Sequence, residues 1–507
     1  RGQYAFLITK TIAMRFPIGK ILVCCACVMA ARHAAVGQGR TVENLDMHWS
    51  FHLGDTAGAE TPSFDDASWR KLALPHDFSI EQPYARANPA QNGFLPGGTG
   101  WYRRHLSWPG TAAGRHVFIR FDGVYMNSEV WINGHLLGKR PNGYLGFRYE
   151  VTPYLKKGDN VVAVRVDNSK VPSARWNTGS GIYRHVWLVS TGQVRVAYSG
   201  TFVKTPVVSP SRAEVTMETT VENLGAVAAQ AEVSAALTDA AGKVLSRKKL
   251  SLRLEPGTSR LRQAFDLNSP HLWSPSAPYL YAVVSTVTVD GRVTDVYRTP
   301  LGVRTLRFDP DSGFVLNGVP MKFRGVCDHQ DISPVGIAVP EDMLHRRLAM
   351  LRQMGCNAIR TSHNPRSPEF YNMCDTMGFL VMDEAFDGWD HAKARWDYGN
   401  YWNPWWKRDL EDFIRRDRNH PSVVMWSQGN EVPGFQKELN VQKAIYDVFH
   451  QMDSSRPVTQ AWALGTYLDV AGFNANGEER GAPERFHRQY PLRPALGPQI
   501  PHTRPAR

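Results

Sequence analysis

The 507-residue sequence has few cysteines, and their spacing supports neither a disulfide framework nor a zinc site. Of the six, three lie in one short N-terminal segment. The others are Cys327, Cys356 and Cys374, an odd number without C-x-x-C spacing. We therefore expect these three to be buried free thiols.

Long apolar runs and clustered basic charge are also missing. No run of eighteen apolar residues occurs, so we expect no membrane span. The net charge is +12, from 59 Lys and Arg against 47 Asp and Glu, yet no run of five basic residues appears. This scattered charge argues against a nucleic-acid partner.

The N-terminal residues 1–37 have the pattern of a targeting segment. A cationic stretch, Met14–Lys20, precedes an eleven-residue apolar run, Ile21–Ala31, which is too short to span a bilayer. Small residues before Gln38 suit signal-peptide cleavage there. We expect export to the periplasm or the medium, with a buried helix as the alternative interpretation.

Two β-rich regions follow. Residues 41–190 contain short alternating runs, such as His116–Phe121, broken by turn residues, and Asn133-Gly134 predicts a type I′ hairpin. This pattern indicates a jelly-roll-like β-sandwich. Residues 195–300 have the length and strand pattern of an immunoglobulin-like sandwich.

From residue 303 to 497, strands alternate with helices, which predicts parallel βα units and a TIM barrel. Seven strands can be counted, one short of a closed (β/α)₈ barrel. The expected strands are 321–326, 358–361, 380–383, 423–426, 457–460, 470–473 and 494–496, with helices at 341–354, 368–377, 404–417 and 436–452. The fold class is therefore multidomain, with two β-sandwiches and an incomplete α/β barrel.

Polar side chains follow four of these strands. Active sites of such barrels lie at the carboxyl ends of the strands, so we expect these side chains to meet on one rim. Carboxylates, imidazoles and amides there can hold a polyhydroxylated ligand and supply an acid–base group. The residues are Asp328 and His329, His363, Asp383 and Glu384, and Asn430 and Glu431.

Two segments carry a specific resemblance. Arg418–Glu431 resembles the acid–base signature of glycoside hydrolase family 2, and Asn357–Pro365 resembles the second-strand motif of that family. Phe379–Glu384 and Gly179–Leu188 match the family as well. The resemblance implies that the first sandwich is of the sugar-binding type. It also implies retaining hydrolysis of terminal non-reducing β-D-galactosyl residues, with β-glucuronidase and β-mannosidase activities as rivals.

The resemblance also implies roles for single residues. Glu431 matches the acid–base residue, and Asn430 matches the amide that binds the sugar 2-hydroxyl. His329 and His363 match positions that line the sugar subsite, and Asp328 is a further candidate for a hydroxyl contact. No cofactor is required, no ligands are assigned to Mg²⁺ or Na⁺, and the oligomeric state is not indicated.

The second carboxylate of a retaining site is missing from the expected place. Tyr490–Gly497 resembles the approach to the seventh strand, where the nucleophile of this family stands, but residues 498–507 contain three prolines and no acid. Glu478 and Glu479 are poor candidates for this nucleophile, because they begin a predicted helix, where acidic residues interact favourably with the helix dipole. The sequence thus resembles a hydrolase truncated before its nucleophile, with an aberrant tail and little activity expected. A non-catalytic carbohydrate-binding protein is the alternative.

Overall fold

The structure is a computed structural model that describes residues 39–110, 114–432, 436–461 and 467–472. Four of the sequence predictions lie outside these residues. They are the signal segment 1–37, the pair Glu478 and Glu479, the approach 490–497 with its expected strand, and the tail 498–507.

The first sandwich packs two antiparallel sheets, with strand orders β1-β10-β5-β8 and β3-β2-β4-β9-β6-β7. Alternate residues of β6 are buried, and Trp49, Phe121 and Val164 belong to one core. Asn133 and Gly134 have φ of 51° and 84°, which confirms the predicted hairpin. The strands are β1 Thr41–Asn44, β2 Trp49–Leu53, β3 Arg70–Leu72, β4 Gly98–Trp108, β5 Arg115–Phe121, β6 Ser128–Ile132, β7 His135–Arg140, β8 Phe147–Glu150, β9 Gly158–Asn168 and β10 Val186–Gly192.

The second sandwich has seven antiparallel strands in two sheets, β11-β12-β15 and β14-β13-β16-β17. Buried residues alternate with less buried ones along β12. Because successive side chains of a strand point to opposite faces, this strand packs on the core with one face only. The strands are β11 Val194–Val208, β12 Arg212–Asn223, β13 Ala229–Thr238, β14 Val244–Leu254, β15 Gly257–Asn268, β16 Tyr281–Val289 and β17 Arg292–Leu301.

A small antiparallel sheet precedes the barrel and corrects one prediction. It contains β18 Leu306–Asp309, β19 Gly313–Leu316 and β20 Val319–Met321. The expected first barrel strand, 321–326, is wrong at both ends, because Met321 belongs to this sheet. Asn317 and Gly318 have φ of 52° and 79° and form the tight turn that pairs β20 with β19.

The α/β part contains five parallel strands in the order β21-β22-β23-β24-β25 among the described residues. Residues 470–472 are not in a strand, so that expectation is wrong over the described residues. There the backbone N–H groups of Asp469 and Val470 both donate to the carbonyl of Val458. Two donors that share one acceptor do not make the repeating hydrogen-bond pattern of a β-ladder. The elements are β21 Gly325–Asp328, α1 Glu341–Gln353, β22 Ala358–Thr361, α2 Pro368–Met377, β23 Leu380–Glu384, α3 Trp402–Asp417, β24 Val423–Asn430, α4 Gln436–Met452 and β25 Val458–Ala461.

Buried contacts join both sandwiches to the barrel. The fully buried Trp273 indole donates to the carbonyl of Asp375 at 2.8 Å. From the first sandwich, the Arg184 guanidinium donates to the carbonyl of Pro365 at 2.9 Å, directly after the second barrel strand. In the described part of the chain, no helix combines the length and apolar character needed to cross a membrane.

Candidate active site

The predicted rim residues lie together at the carboxyl ends of β21 to β24. The rings of His329 and His363 are 5.4 Å apart, and His363 Nδ1 lies 2.7 Å from Glu384 Oε1. Asn430 ends β24, and Glu431 is the next residue. The parallel strand order places these ends side by side.

A buried ion pair lies under this rim. Glu384 accepts hydrogen bonds from Arg360 Nε at 3.1 Å and Nη2 at 2.8 Å, and one from the Ser427 hydroxyl at 2.6 Å. Burial alone would raise the pKa of Glu384, but the His363 hydrogen bond and the Arg360 charge lower it below its usual value. Glu384 is therefore a stable anion that fixes Arg360 and His363.

Asn430 is held at both ends of its amide. Its Oδ1 accepts from Arg360 Nη2 at 2.8 Å, and its Nδ2 donates to Asp387 Oδ1 at 2.9 Å. Lys393 Nζ donates to the carbonyl of Asn430 as well. These contacts fix the amide orientation, and the second hydrogen of Nδ2 can still donate to a sugar hydroxyl.

Glu431 lies just beyond the buried strand β24. Its φ is 48°, in the left-handed region that non-glycine residues seldom adopt, as is common at functional sites. Its side chain is 37% exposed, and Oε2 lies 3.5 Å from Arg175 Nη1. A carboxyl group placed here can reach both a bound ligand and solvent.

An indole from the first sandwich closes one side of the rim. The ring centroid of Trp176 lies 5.0 Å from that of His329 and 5.5 Å from that of His363. Burial, with the neighbouring His363, lowers the pKa of His329. Three aromatic rings in this arrangement suit contact with the C–H face of a pyranose.

The sugar contact expected for Asp328 stays a prediction, and the structure gives this residue two guanidinium partners. Its Oδ1 accepts from Arg347 at 3.1 Å and its Oδ2 accepts from Arg366 at 2.7 Å. Because both oxygens are engaged by guanidinium groups, Asp328 fixes the loop after β21.

The expectation of three buried thiols is also wrong in part. All three cysteines are free, but only Cys374 is buried; Cys356 is partly buried and Cys327 is exposed. Cys327 lies on β21, where alternate residues are exposed. The sequence pattern of this strand did not reveal that Cys327 is on the exposed face.

Sequence reasoning overlooked several residues of this rim. Arg360 lies inside the Asn357–Pro365 motif, so the motif itself carried that signal. Arg175 and Trp176 lie just before the Gly179–Leu188 motif, but nothing local placed them at the barrel. Asp387 follows the third strand and could have been included with Asp383 and Glu384.

Among the described rim residues, the carboxylates of Glu384 and Asp387 are paired with cations. In residues 39–472, apart from the gaps, one group of three potential ligands occurs elsewhere: His185, Glu341 and Glu369. No ligand set for Mg²⁺ or Na⁺ is assigned here.

Comparison with known proteins gives the class of this chain. Three family models match in succession: the glycosyl hydrolases family 2 sugar binding domain over residues 42–192, the glycosyl hydrolases family 2 domain over 194–304, and the family 2 TIM barrel domain over 310–484. The chain belongs to glycoside hydrolase family 2. The expected family and fold class are thus confirmed.

Individual relatives are similar over most of this chain. It is 47% identical over 397 residues to the β-galactosidase BoGH2A of Bacteroides ovatus, covering 78% of this chain and 47% of that protein. It is 37% identical over 488 residues to a putative β-glucuronidase of Formosa agariphila, covering 96% and 46%. A solved β-glycosidase from Bacteroides vulgatus is 45% identical with a TM-score of 0.83, covering 91% and 59%. The chain spans about half the length of these curated relatives.

Proposed function

We propose that this protein hydrolyses terminal non-reducing β-D-galactosyl residues with retention of configuration. The observation that carries the proposal is the joint placement of Asn430 and Glu431 at the end of β24, above the fixed Arg360–Glu384 pair. In this reading Glu431 protonates the leaving oxygen, and Asn430 donates to the sugar 2-hydroxyl as the transition state forms. His329, His363 and Trp176 surround the ring.

A retaining mechanism needs a second carboxylate about 5–5.5 Å from the acid–base group. Glu384 and Asp387 are described carboxylates of this rim, but each is already engaged by cations. We therefore assign the nucleophile to neither. The expected position of the nucleophile lies outside the described residues.

The charge of the rim favours a neutral sugar over a uronic acid. Among the described rim residues, Arg175 and Lys393 pair with Asp387, and Arg360 pairs with Glu384. A glucuronide carboxylate would have to compete with these carboxylates for a cation. Because several relatives carry the name β-glucuronidase, glucuronide hydrolysis is the second candidate.

The test measures how fast the complete protein releases nitrophenol from the 4-nitrophenyl β-D-galactoside, β-D-glucuronide and β-D-mannoside. We expect turnover of the galactoside, with β-galactose as the first anomer seen by proton NMR. Preference for the glucuronide would reverse the assignment of substrate. Galactose binding without release of nitrophenol by any substrate would favour the carbohydrate-binding alternative.

A further inference from the structure

We propose that Arg175, which belongs to the first sandwich, is a positioning residue for the acid–base group Glu431. The proposal rests on the function proposed above and makes the sandwich a part of the catalytic machinery. Arg175 lies in the connection between β9 and β10, far in sequence from the barrel strand that carries Glu431.

The guanidinium joins two carboxylates of the barrel. Arg175 donates to Asp387 through Nε at 3.2 Å and through Nη2 at 2.7 Å, and its Nη1 lies 3.5 Å from Glu431 Oε2. A planar fork of this kind sets the direction of the groups it binds as well as their charge. Asp387 and Glu431 are therefore held on opposite sides of one rigid group.

Asp387 is the fixed point of this arrangement. It also accepts from Asn430 Nδ2 at 2.9 Å and from Lys393 Nζ at 3.3 Å. Burial alone would raise the pKa of Asp387, but the Arg175 hydrogen bond and the Lys393 charge lower it. The same Asp387 hydrogen bond raises the pKa of Arg175. The pair thus keeps its charges, and Arg175 is anchored to the residue that also orients Asn430.

The connection is attached to the barrel on both sides of Arg175. On one side, the backbone N–H of Trp396 donates to the carbonyl of Pro172 at 3.1 Å, and Lys170 Nζ lies 4.8 Å from the centre of the Trp396 ring. On the other side, Trp176 packs against two histidines of the rim. Packing of the sandwich on the barrel therefore sets the position of the guanidinium.

This geometry has a consequence for proton transfer. An acid–base group has to point at the leaving oxygen when it donates its proton and at a water molecule when it takes one back. Without Arg175, Glu431 would lose the contact that directs Oε2.

The experiment compares Arg175→Met and Arg175→Lys with the wild type in the complete protein. Arg253→Met is the matched control, because Arg253 is an exposed residue of the second sandwich that pairs with Glu255. For each protein, kcat/KM is measured on phenyl and 2,4-dinitrophenyl β-D-galactosides. Thermal unfolding checks that each variant is folded.

For Arg175→Met we expect kcat/KM on the phenyl galactoside to fall by roughly 10–100-fold, with a much smaller loss on the dinitrophenyl substrate, which needs little protonation. Arg175→Lys should also lose activity on the phenyl substrate, because an ammonium group keeps the charge but lacks the planar fork. Arg253→Met should match the wild type.

Equal losses on both substrates would overturn the proposal and indicate a merely structural residue. A crystal structure in which Arg175 contacts neither Asp387 nor Glu431 would overturn it as well, whether or not the protein hydrolyses galactosides. Absence of turnover in the wild type, with the bridge present in the crystal, would instead refute the proposed function and leave the positioning geometry standing.

Discussion

The stability of the first sandwich should depend on pH through His185. Its Nδ1 lies 2.6 Å from Asp46 Oδ2, and its Nε2 lies 3.4 Å from Glu341 on the first barrel helix. The Asp46 hydrogen bond raises the pKa of His185 to about 9, from an ordinary value of 6.5. The perturbation to test is His185→Gln, which keeps a polar group but cannot carry the charge.

The magnitude follows from the difference between the folded and unfolded pKa values of His185. A shift from 6.5 to about 9 corresponds to about 3 kcal/mol of stability. Because the folded pKa is the higher one, this stability is fully present below pH 6.5 and is lost as the pH rises through about 9. We therefore expect His185→Gln to cost about 3 kcal/mol at pH 6 and close to nothing from this source at pH 10.

The assay is thermal or urea unfolding of wild type and variant in parallel at several pH values between 6 and 10. If the sandwich unfolds as a unit, the difference in Tm at pH 6 should be on the order of 5–10 °C and should shrink steadily above pH 8. His135→Gln is the control, because the exposed His135 stacks on Tyr154. A difference between wild type and His185→Gln that is the same at pH 6 and pH 10 would refute the reasoning.

Three further predictions concern catalysis, packing and export. Glu431→Gln should lower kcat/KM by about 10²–10⁴-fold on galactosides with poor leaving groups and far less on activated ones, whereas equal losses would contradict the acid–base role. Trp273→Ala should cost about 3–5 kcal/mol, because the buried indole and its bond to Asp375 are lost; a change under about 1 kcal/mol in urea unfolding would show that the site is not tightly packed. Secreted protein should begin at Gln38, and N-terminal sequencing that finds residues 21–31 retained would disprove cleavage there.

The sequence predicted the bounds of barrel elements well where proline or glycine marks the start or end of an element. The second barrel strand, Ala358–Thr361, and the helix after it, Pro368–Met377, have the expected bounds. Pro368 suits the first turn of a helix, and Gly378 ends this one with φ of 76°. The first barrel strand was misplaced because residues 321–326 alternate apolar and basic side chains without a break, and only the pairing of Met321 with β19 separates the two strands.

Rim residues were predictable only where they lie in one motif or directly after a barrel strand. Asn430 and Glu431 are adjacent in one motif, and the strand rule placed His363 and Glu384 on the same side of the sheet. Arg175 could not be found in this way, because its contact with Glu431 joins residues 256 positions apart. No periodicity or spacing records such a contact, which depends on how two domains pack.

The connection between β9 and β10 makes the rim depend on both the first sandwich and the barrel. Trp176 and Arg175 belong to a connection whose ends are fixed by β9 and β10, central strands of the two sheets of the first sandwich. A change that loosens these sheets will therefore displace the Trp176 indole from the two histidines of the rim and the Arg175 guanidinium from Glu431 at the same time. Since the barrel supplies Asp387 and Glu431 as the partners of Arg175, neither domain alone holds this part of the site. Loss of activity on heating should accordingly track unfolding of the first sandwich, even where the barrel is still folded.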